Sequence, residues 1–149
     1  MMHRFQIRVY YEDTDLAGIV YYANYLKFIE RARTEWVRGL GVDQGRLKAE
    51  EGVVFAVRRV EADYLSPARF DDQLEVRTEL LAATGARIAL MQEVWRGDMR
   101  LFAARVELVA LREDGRPARI PPALRGVLGG QPPGTMVSGA ERRGIADDA

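Results

Sequence analysis

A chain of 149 residues is long enough for one domain with a sizeable core and too short to expect two. Its 22 basic and 22 acidic side chains balance, so charge points neither to general nucleic-acid binding nor to long-range capture of anions. With no cysteine and one histidine, His3 at the N-terminus, it offers no disulfide, no thiolate nucleophile, no multi-histidine metal site and no basis for a Ser–His–Asp triad.

Residues 4–11 alternate, with Phe5, Ile7 and Val9 on one side and Arg4, Gln6, Arg8 and Tyr10 on the other, which predicts a half-buried strand. The run Glu12-Asp13-Thr14-Asp15 breaks it, and Leu16-Ala17-Gly18 supplies a tight turn. A long helix is expected over 22–40. Tyr22, Tyr25, Leu26, Ile29, Ala32, Trp36, Val37 and Leu40 recur at three- and four-residue steps on one face, with Lys27, Arg31, Glu35 and Arg38 opposite. Gly39 and Gly41 end it. Residues 42–51 read as a connector with a short turn of helix anchored by Leu47.

An extended run follows over 53–65, with Arg59, Glu61 and Asp63 on a wet face, and it stops at Ser66-Pro67. Leu74, Val76, Thr78 and Leu80 then alternate with Gln73, Glu75, Arg77 and Glu79. Thr84-Gly85 and Gly97-Asp98 mark hairpins between that strand and strands at 87–96 and 99–111, closed by Asp114-Gly115 and Pro117. Four long strands joined by short hairpins make a twisted sheet whose dry face needs cover, and the one long apolar helix can give it. The expected class is α+β, an antiparallel β-sheet wrapped around one long central α-helix. The domain is expected over 1–120. Residues 121–149 read as a flexible tail, with at most one helical turn at 123–128. Apolar residues on both faces of the last two strands predict contact with a second subunit. No stretch approaches the roughly 18 apolar residues of a spanning helix and no secretion signal opens the chain. A soluble cytoplasmic protein without a transmembrane segment is expected.

The approach to the helix holds the chemistry. A helix start leaves about four backbone N–H groups without internal partners and gathers positive potential. A carboxylate just upstream can face that cradle, where a developing oxyanion would be held. The same aspartate can equally be a helix cap or the acceptor of an Asx-turn. Asp13 fits the structural role better than Asp15, but spacing does not settle which is which.

The run Glu12-Asp13-Thr14-Asp15-Leu16-Ala17-Gly18-Ile19-Val20-Tyr21-Tyr22-Ala23-Asn24-Tyr25-Leu26, followed by Glu30-Arg31-Ala32-Arg33, resembles the signature of hotdog-fold acyl-CoA thioesterases. The likeness is to the 4-hydroxybenzoyl-CoA thioesterase family, and within it to the YbgC-like branch associated with the Tol–Pal cell-envelope system. A second similar segment spans 63–74, and the resemblance covers 4–111. It implies the hotdog fold and hydrolysis of a thioester to free acid and coenzyme A, without a cofactor because coenzyme A is part of the substrate. It implies Asp15 as nucleophile or general base, and the backbone N–H of Tyr22 as the donor to the thioester oxygen. Gly18, Asn24 and Tyr25 would shape the substrate site, and Arg87 would meet coenzyme A. Active sites shared within a homodimer or homotetramer are also implied, as is a link to the Tol–Pal system or to acyl carrier protein.

Two departures stand out. Many YbgC-like sequences carry histidine where this chain has Tyr22. Relatives often place several basic residues near the hairpin at 84–87, where only Arg87 is basic here, leaving Arg58, Arg59 and Arg69 as other cations. A hotdog hydratase or dehydratase usually wants a histidine paired with an acid, which His3 does not supply. A non-catalytic acyl-CoA-binding or envelope-associated scaffold protein is the alternative from another class.

Overall fold

The computed structural model describes residues 2–129. Strands β3 (Gln73–Thr84), β4 (Arg87–Arg96) and β5 (Met99–Arg112) form where the period of two is clearest. Thr84 faces Arg87 and Arg96 faces Met99 across two-residue turns, with Gly85 and Gly97 both at φ +57°. Glycine enters that left-handed region without a side-chain clash. β1 (Met2–Arg8) pairs with β3, and β2 (Val53–Tyr64) pairs with β5, giving an antiparallel sheet in the order β1-β3-β4-β5-β2.

That order corrects one expectation. β2 is not a hairpin neighbour of β3 but lies at the far edge of the sheet. The N–H groups of Leu65 and Ser66 both donate to the Leu101 carbonyl, at 2.9 and 3.1 Å. Pro67 has no N–H to continue the ladder, so the chain leaves β5 and crosses to β3. β1 likewise ends at Arg8, before the expected limit, because Tyr11–Asp13 turns into a single 3-10 turn.

Helix α1 (Asn24–Gly39) covers the dry face and is about 24 Å long. Tyr25, Phe28, Ile29, Ala32, Trp36 and Val37 pack in one cluster with Leu74, Val76, Leu90, Val94, Phe102 and Val106. Burial of side chains of this size contributes roughly 1.5–3 kcal/mol each. Two residues of the expected face are misplaced: Tyr22 is 62% exposed and Leu26 42% exposed. Tyr22 precedes the first helical turn, and Leu26 lies about 100° around the axis from Tyr25. Phe28, three residues after Tyr25, is fully buried instead.

Helix α2 (Gln44–Glu51) buries Leu47 against Val53, Ala110 and Ala118, as expected of an anchor. Helix α3 (Pro122–Gly129) brings Leu124 and Leu128 into the main core. Residues 121–129 therefore pack with the domain rather than trail from it, and the rest of the expected tail lies outside the described residues. The two-faced strands also have a local explanation. Leu81, Ala89 and Met91 form a small cluster on the outer face of the sheet. Near it the Arg77 guanidinium lies 4.2 Å from the centre of the Trp95 ring, and Glu93 pairs with Arg100 at 2.7 Å. No second subunit is needed to bury those positions of β4.

Candidate active site

Asp13 and Asp15 sit two residues apart and do different things. The Tyr10 N–H donates to Asp13 Oδ2 at 2.8 Å, closing the 3-10 turn. The Asp13 carbonyl accepts from the Tyr21 N–H and from Asn24 Nδ2, both at 2.9 Å. Asp13 is buried, and its Oδ2 and main-chain carbonyl shape the approach to α1. Asp15 opens the next turn. Its N–H donates to the Ile19 carbonyl at 2.9 Å, and Gly18, at φ +80°, donates back to the Asp15 carbonyl at 3.0 Å. Asp15 Oδ1 accepts the Ala17 N–H at 2.9 Å, an Asx-turn. Oδ2 takes no hydrogen bond among the described residues. One oxygen is structural and the other is open.

The start of α1 is equally open. Ala23 is the N-cap and offers no side-chain cap. The Asn24 N–H turns back to the Tyr21 carbonyl at 2.8 Å, while the Tyr22 N–H has no partner among the described residues. Asp15, Tyr22, Tyr25, Tyr64, Ser66 and Pro67 line one cleft of about 350 Å³. Hollows of about 380 and 510 Å³ lie elsewhere, beside α3 and between α1 and α2, and neither contains Asp15 or borders the start of α1. The first of them gathers Arg112, Arg119 and Arg125.

The floor of the cleft is fixed by aromatic packing and by the segment between β2 and β3. Tyr25 stacks on Phe102 at 5.0 Å, and its hydroxyl accepts the Ala68 N–H at 2.9 Å. Burial pushes the Tyr25 phenol up from its ordinary value, partly offset by the Ala68 hydrogen bond. The Tyr64 hydroxyl donates to the Tyr22 carbonyl at 2.9 Å. The Tyr64 ring is half exposed, yet its phenol is pushed up by burial, then by the neighbouring phenols of Tyr22 and Tyr25. Ala68 also accepts the Val20 N–H at 2.8 Å, and Ile19 bridges Arg69. Arg96 holds this segment by pairing with Asp72 at 2.8 Å and by donating to the Pro67 carbonyl at 3.3 Å.

Of the residues expected from sequence, Asp15, Tyr22 and Tyr25 meet in the cleft. Gly18 is at the exposed tip of the Asp15 turn, outside the lining. Asn24 is buried and acts through the Asp13 carbonyl. Arg87 is at the opposite end of β4. Val94 pairs with Phe102 near the cleft, and Arg87 is seven residues away, about 23 Å along the strand. Within one chain Arg87 does not reach Asp15. Arg58 and Arg59 are taken up by Glu107 and Glu61, whereas Arg69 has no ion pair among the described residues and sits beside Ile19. Sequence reasoning placed Tyr64 and Ser66 in a strand and a turn without a role. The second similar segment, 63–74, was the signal that pointed to them.

The thioesterase superfamily model matches residues 17–103 of this chain. The acyl-CoA thioesterase YbgC of Haemophilus influenzae is 43% identical over 107 residues, covering 72% of this chain and 79% of that protein. The acyl-CoA thioester hydrolase YbgC of Escherichia coli O157:H7 is 45% identical over 101 residues, covering 68% and 75%. Among solved structures, a probable thioesterase from Bartonella henselae superposes with a TM-score of 0.78 at 39% identity, covering 81% of this chain and all of that one. An Asp-to-Asn mutant of 4-hydroxybenzoyl-CoA thioesterase, complexed with 4-hydroxybenzoyl-CoA, superposes with a TM-score of 0.80 at 23% identity, covering 85% and 97%. At that identity the likeness shows the fold alone.

Proposed function

The chain belongs to the thioesterase superfamily, in its YbgC-like branch and with the hotdog fold, and from that premise we propose that it hydrolyses acyl-CoA thioesters with Asp15 as the reacting carboxylate. One observation carries the reading: Asp15 has an oxygen free of hydrogen bonds among the described residues and lines the same cleft as an uncapped helix start. A thioester carbonyl directed at the Tyr22 N–H would place its developing negative charge where the helix dipole and an unpaired donor favour it. Asp15 then either takes a proton from an attacking water or attacks the carbonyl itself to give an anhydride that water opens. Both routes release free acid and the coenzyme A thiol and need no cofactor. Because the Tyr22 contribution is a main-chain donor, tyrosine in place of the histidine of relatives leaves it intact.

Coenzyme A would extend from the cleft past Arg69 within the same chain. Arg87 would meet it only from a second subunit, which ties its role to a homodimer or homotetramer with shared sites. Supporting such an assembly is the edge strand β2, whose Val54, Val57 and Val60 are exposed. Among the described residues no helix is long and apolar enough to cross a membrane. A cytoplasmic location stays the expectation of the sequence pattern, and a link to the Tol–Pal system or to acyl carrier protein rests on the resemblance alone.

The test is a panel of acyl-CoA thioesters of graded length assayed with a thiol-detecting dye. Turnover of at least one member is expected. No thiol release across the panel, with acyl-CoA still bound, would replace this reading with a non-catalytic acyl-CoA-binding protein.

A further inference from the structure

Arg33 faces the sheet rather than solvent, and it arrives there on a built support. Its Nη1 donates to Gln92 Oε1 at 3.0 Å. Gln92 is fully buried, and its Nε2 donates to Thr78 Oγ1 and to the Ile29 carbonyl, both at 2.9 Å. With both amide protons spent on those acceptors, the Gln92 oxygen is left aimed at Arg33. Thr78 and Gln92 are register partners on β3 and β4, so the support is anchored in two central strands and in the helix backbone.

Arg33 makes no ion pair among the described residues. Glu30 attracts it only at longer range and accepts the Thr34 hydroxyl at 2.8 Å. Burial lowers the Arg33 pKa from its ordinary value, yet a guanidinium stays protonated at any working pH. One of its five N–H donors is used among the described residues. A partly desolvated charge held by a neutral amide, with Glu30 near but not paired to it, is costly to maintain.

Arg33 borders a slot of about 230 Å³ between α1 and the sheet, walled by Trp36, Phe55, Ile88, Leu108 and Leu124, with the Glu30 carboxylate, held by the Thr34 hydroxyl, on the same lining. That volume is room for about eight groups of water size at roughly 30 Å³ each. The slot shares no lining residue with the Asp15 cleft. Tyr25 in the cleft and Trp36 in the slot are eleven residues apart on α1, about 16 Å along its axis.

We propose that the slot binds an apolar segment of about eight carbons that ends in a carboxylate, with the carboxylate on Arg33 and the chain between Trp36 and the sheet. A free carboxylic acid has this chemistry, and so does an acyl group whose far end is carboxylated. The first source does not depend on the hydrolytic reading; the second rests on it.

Trp36 reports on the slot directly. The chain has two tryptophans, and Trp95→Phe removes the other. In that background octanoate is expected to change Trp36 emission saturably, and 1-octanol, equal in length and uncharged, to bind at least about tenfold more weakly, the margin of a charge-assisted hydrogen bond. Arg33→Met is expected to remove that preference and leave octanol binding unchanged, whereas Arg33→Lys keeps most of it. Equal binding of octanoate and octanol by the unsubstituted slot, or no saturable change with either, overturns the proposal even if no Arg33 variant folds. Two acyl-CoA substrates of equal length, one plain and one carboxylated at its far end, separate the sources. A loss of kcat/KM in Arg33→Met confined to the carboxylated substrate assigns the slot to the acyl group. Unchanged kinetics on both, with octanoate binding lost, assigns it to free acid. Retention of the octanoate preference in Arg33→Met contradicts both.

Discussion

The first turn of α1 and its middle are held in opposite ways. At the first turn there is no side-chain cap, the Tyr22 N–H has no partner among the described residues, and Tyr22 and Leu26 are exposed. One to two turns later Ile29 and Ala32 are buried, and the Ile29 carbonyl takes a hydrogen bond from Gln92 in the centre of the sheet. The open end is where an anion would be held, and the closed middle is what keeps that end in place. A helix start with unsatisfied donors costs stability by itself, and packing further along the same rigid element offsets the cost. Stability and chemistry are divided along one helix.

Several substitutions can break or sharpen that contrast. Phe28→Ala should have the largest effect on stability, about 3–5 kcal/mol by urea unfolding, because it empties a fully buried site under the first turns of the helix. Gln92→Leu should cost about 2 kcal/mol by the same measurement, since it leaves Arg33 and Thr78 without their buried partner. A loss as small as that of a surface substitution would mean the middle of α1 is not pinned by Gln92. At the open end Tyr64→Phe removes the hydroxyl that reaches the Tyr22 carbonyl, and should cost less than about 1 kcal/mol because the site is half exposed. Smallest of all, deleting residues 130–149 should leave the thermal midpoint and oligomeric state nearly unchanged, since that segment shows neither period nor apolar density. A loss above about 2 kcal/mol on that deletion would show that the segment packs on the domain.

What could be read in the sequence follows the same division. β3, β4 and β5 were legible because their periods and glycine turns are local signals. α1 was legible as a helix, but its buried face was shifted, since Leu26 has the right chemistry and the wrong angle, while Phe28 went unnoticed. The position of β2 at the far edge depends on where Leu65 and Ser66 find an acceptor, a contact across the sheet that no local pattern encodes. The helix that buries Leu124 and Leu128 lies in a stretch whose prolines and glycines suggested a tail. In the site, spacing could place Asp13 and Asp15 before a helix start but could not separate them. Burial and placement do, because Asp13 is buried beneath the Tyr10 and Asn24 contacts, whereas Asp15 lines the cleft beside the start of α1. The row from Arg33 through Gln92 to Thr78 was invisible, since each residue reads alone as an ordinary strand or helix position.

The most direct measurement compares Asp15→Asn with Asp13→Asn in steady-state acyl-CoA hydrolysis, with unfolding and mass measured alongside. Asparagine keeps the Asx-turn to Ala17 and caps about as well as aspartate, so Asp15→Asn should fold and assemble normally. It lacks the charge that would take a proton or attack the carbonyl, so hydrolysis should fall at least about a hundredfold with acyl-CoA still bound. Asp13→Asn should cost less activity. Near-full hydrolysis by Asp15→Asn would contradict the assignment of Asp15 as the reacting carboxylate.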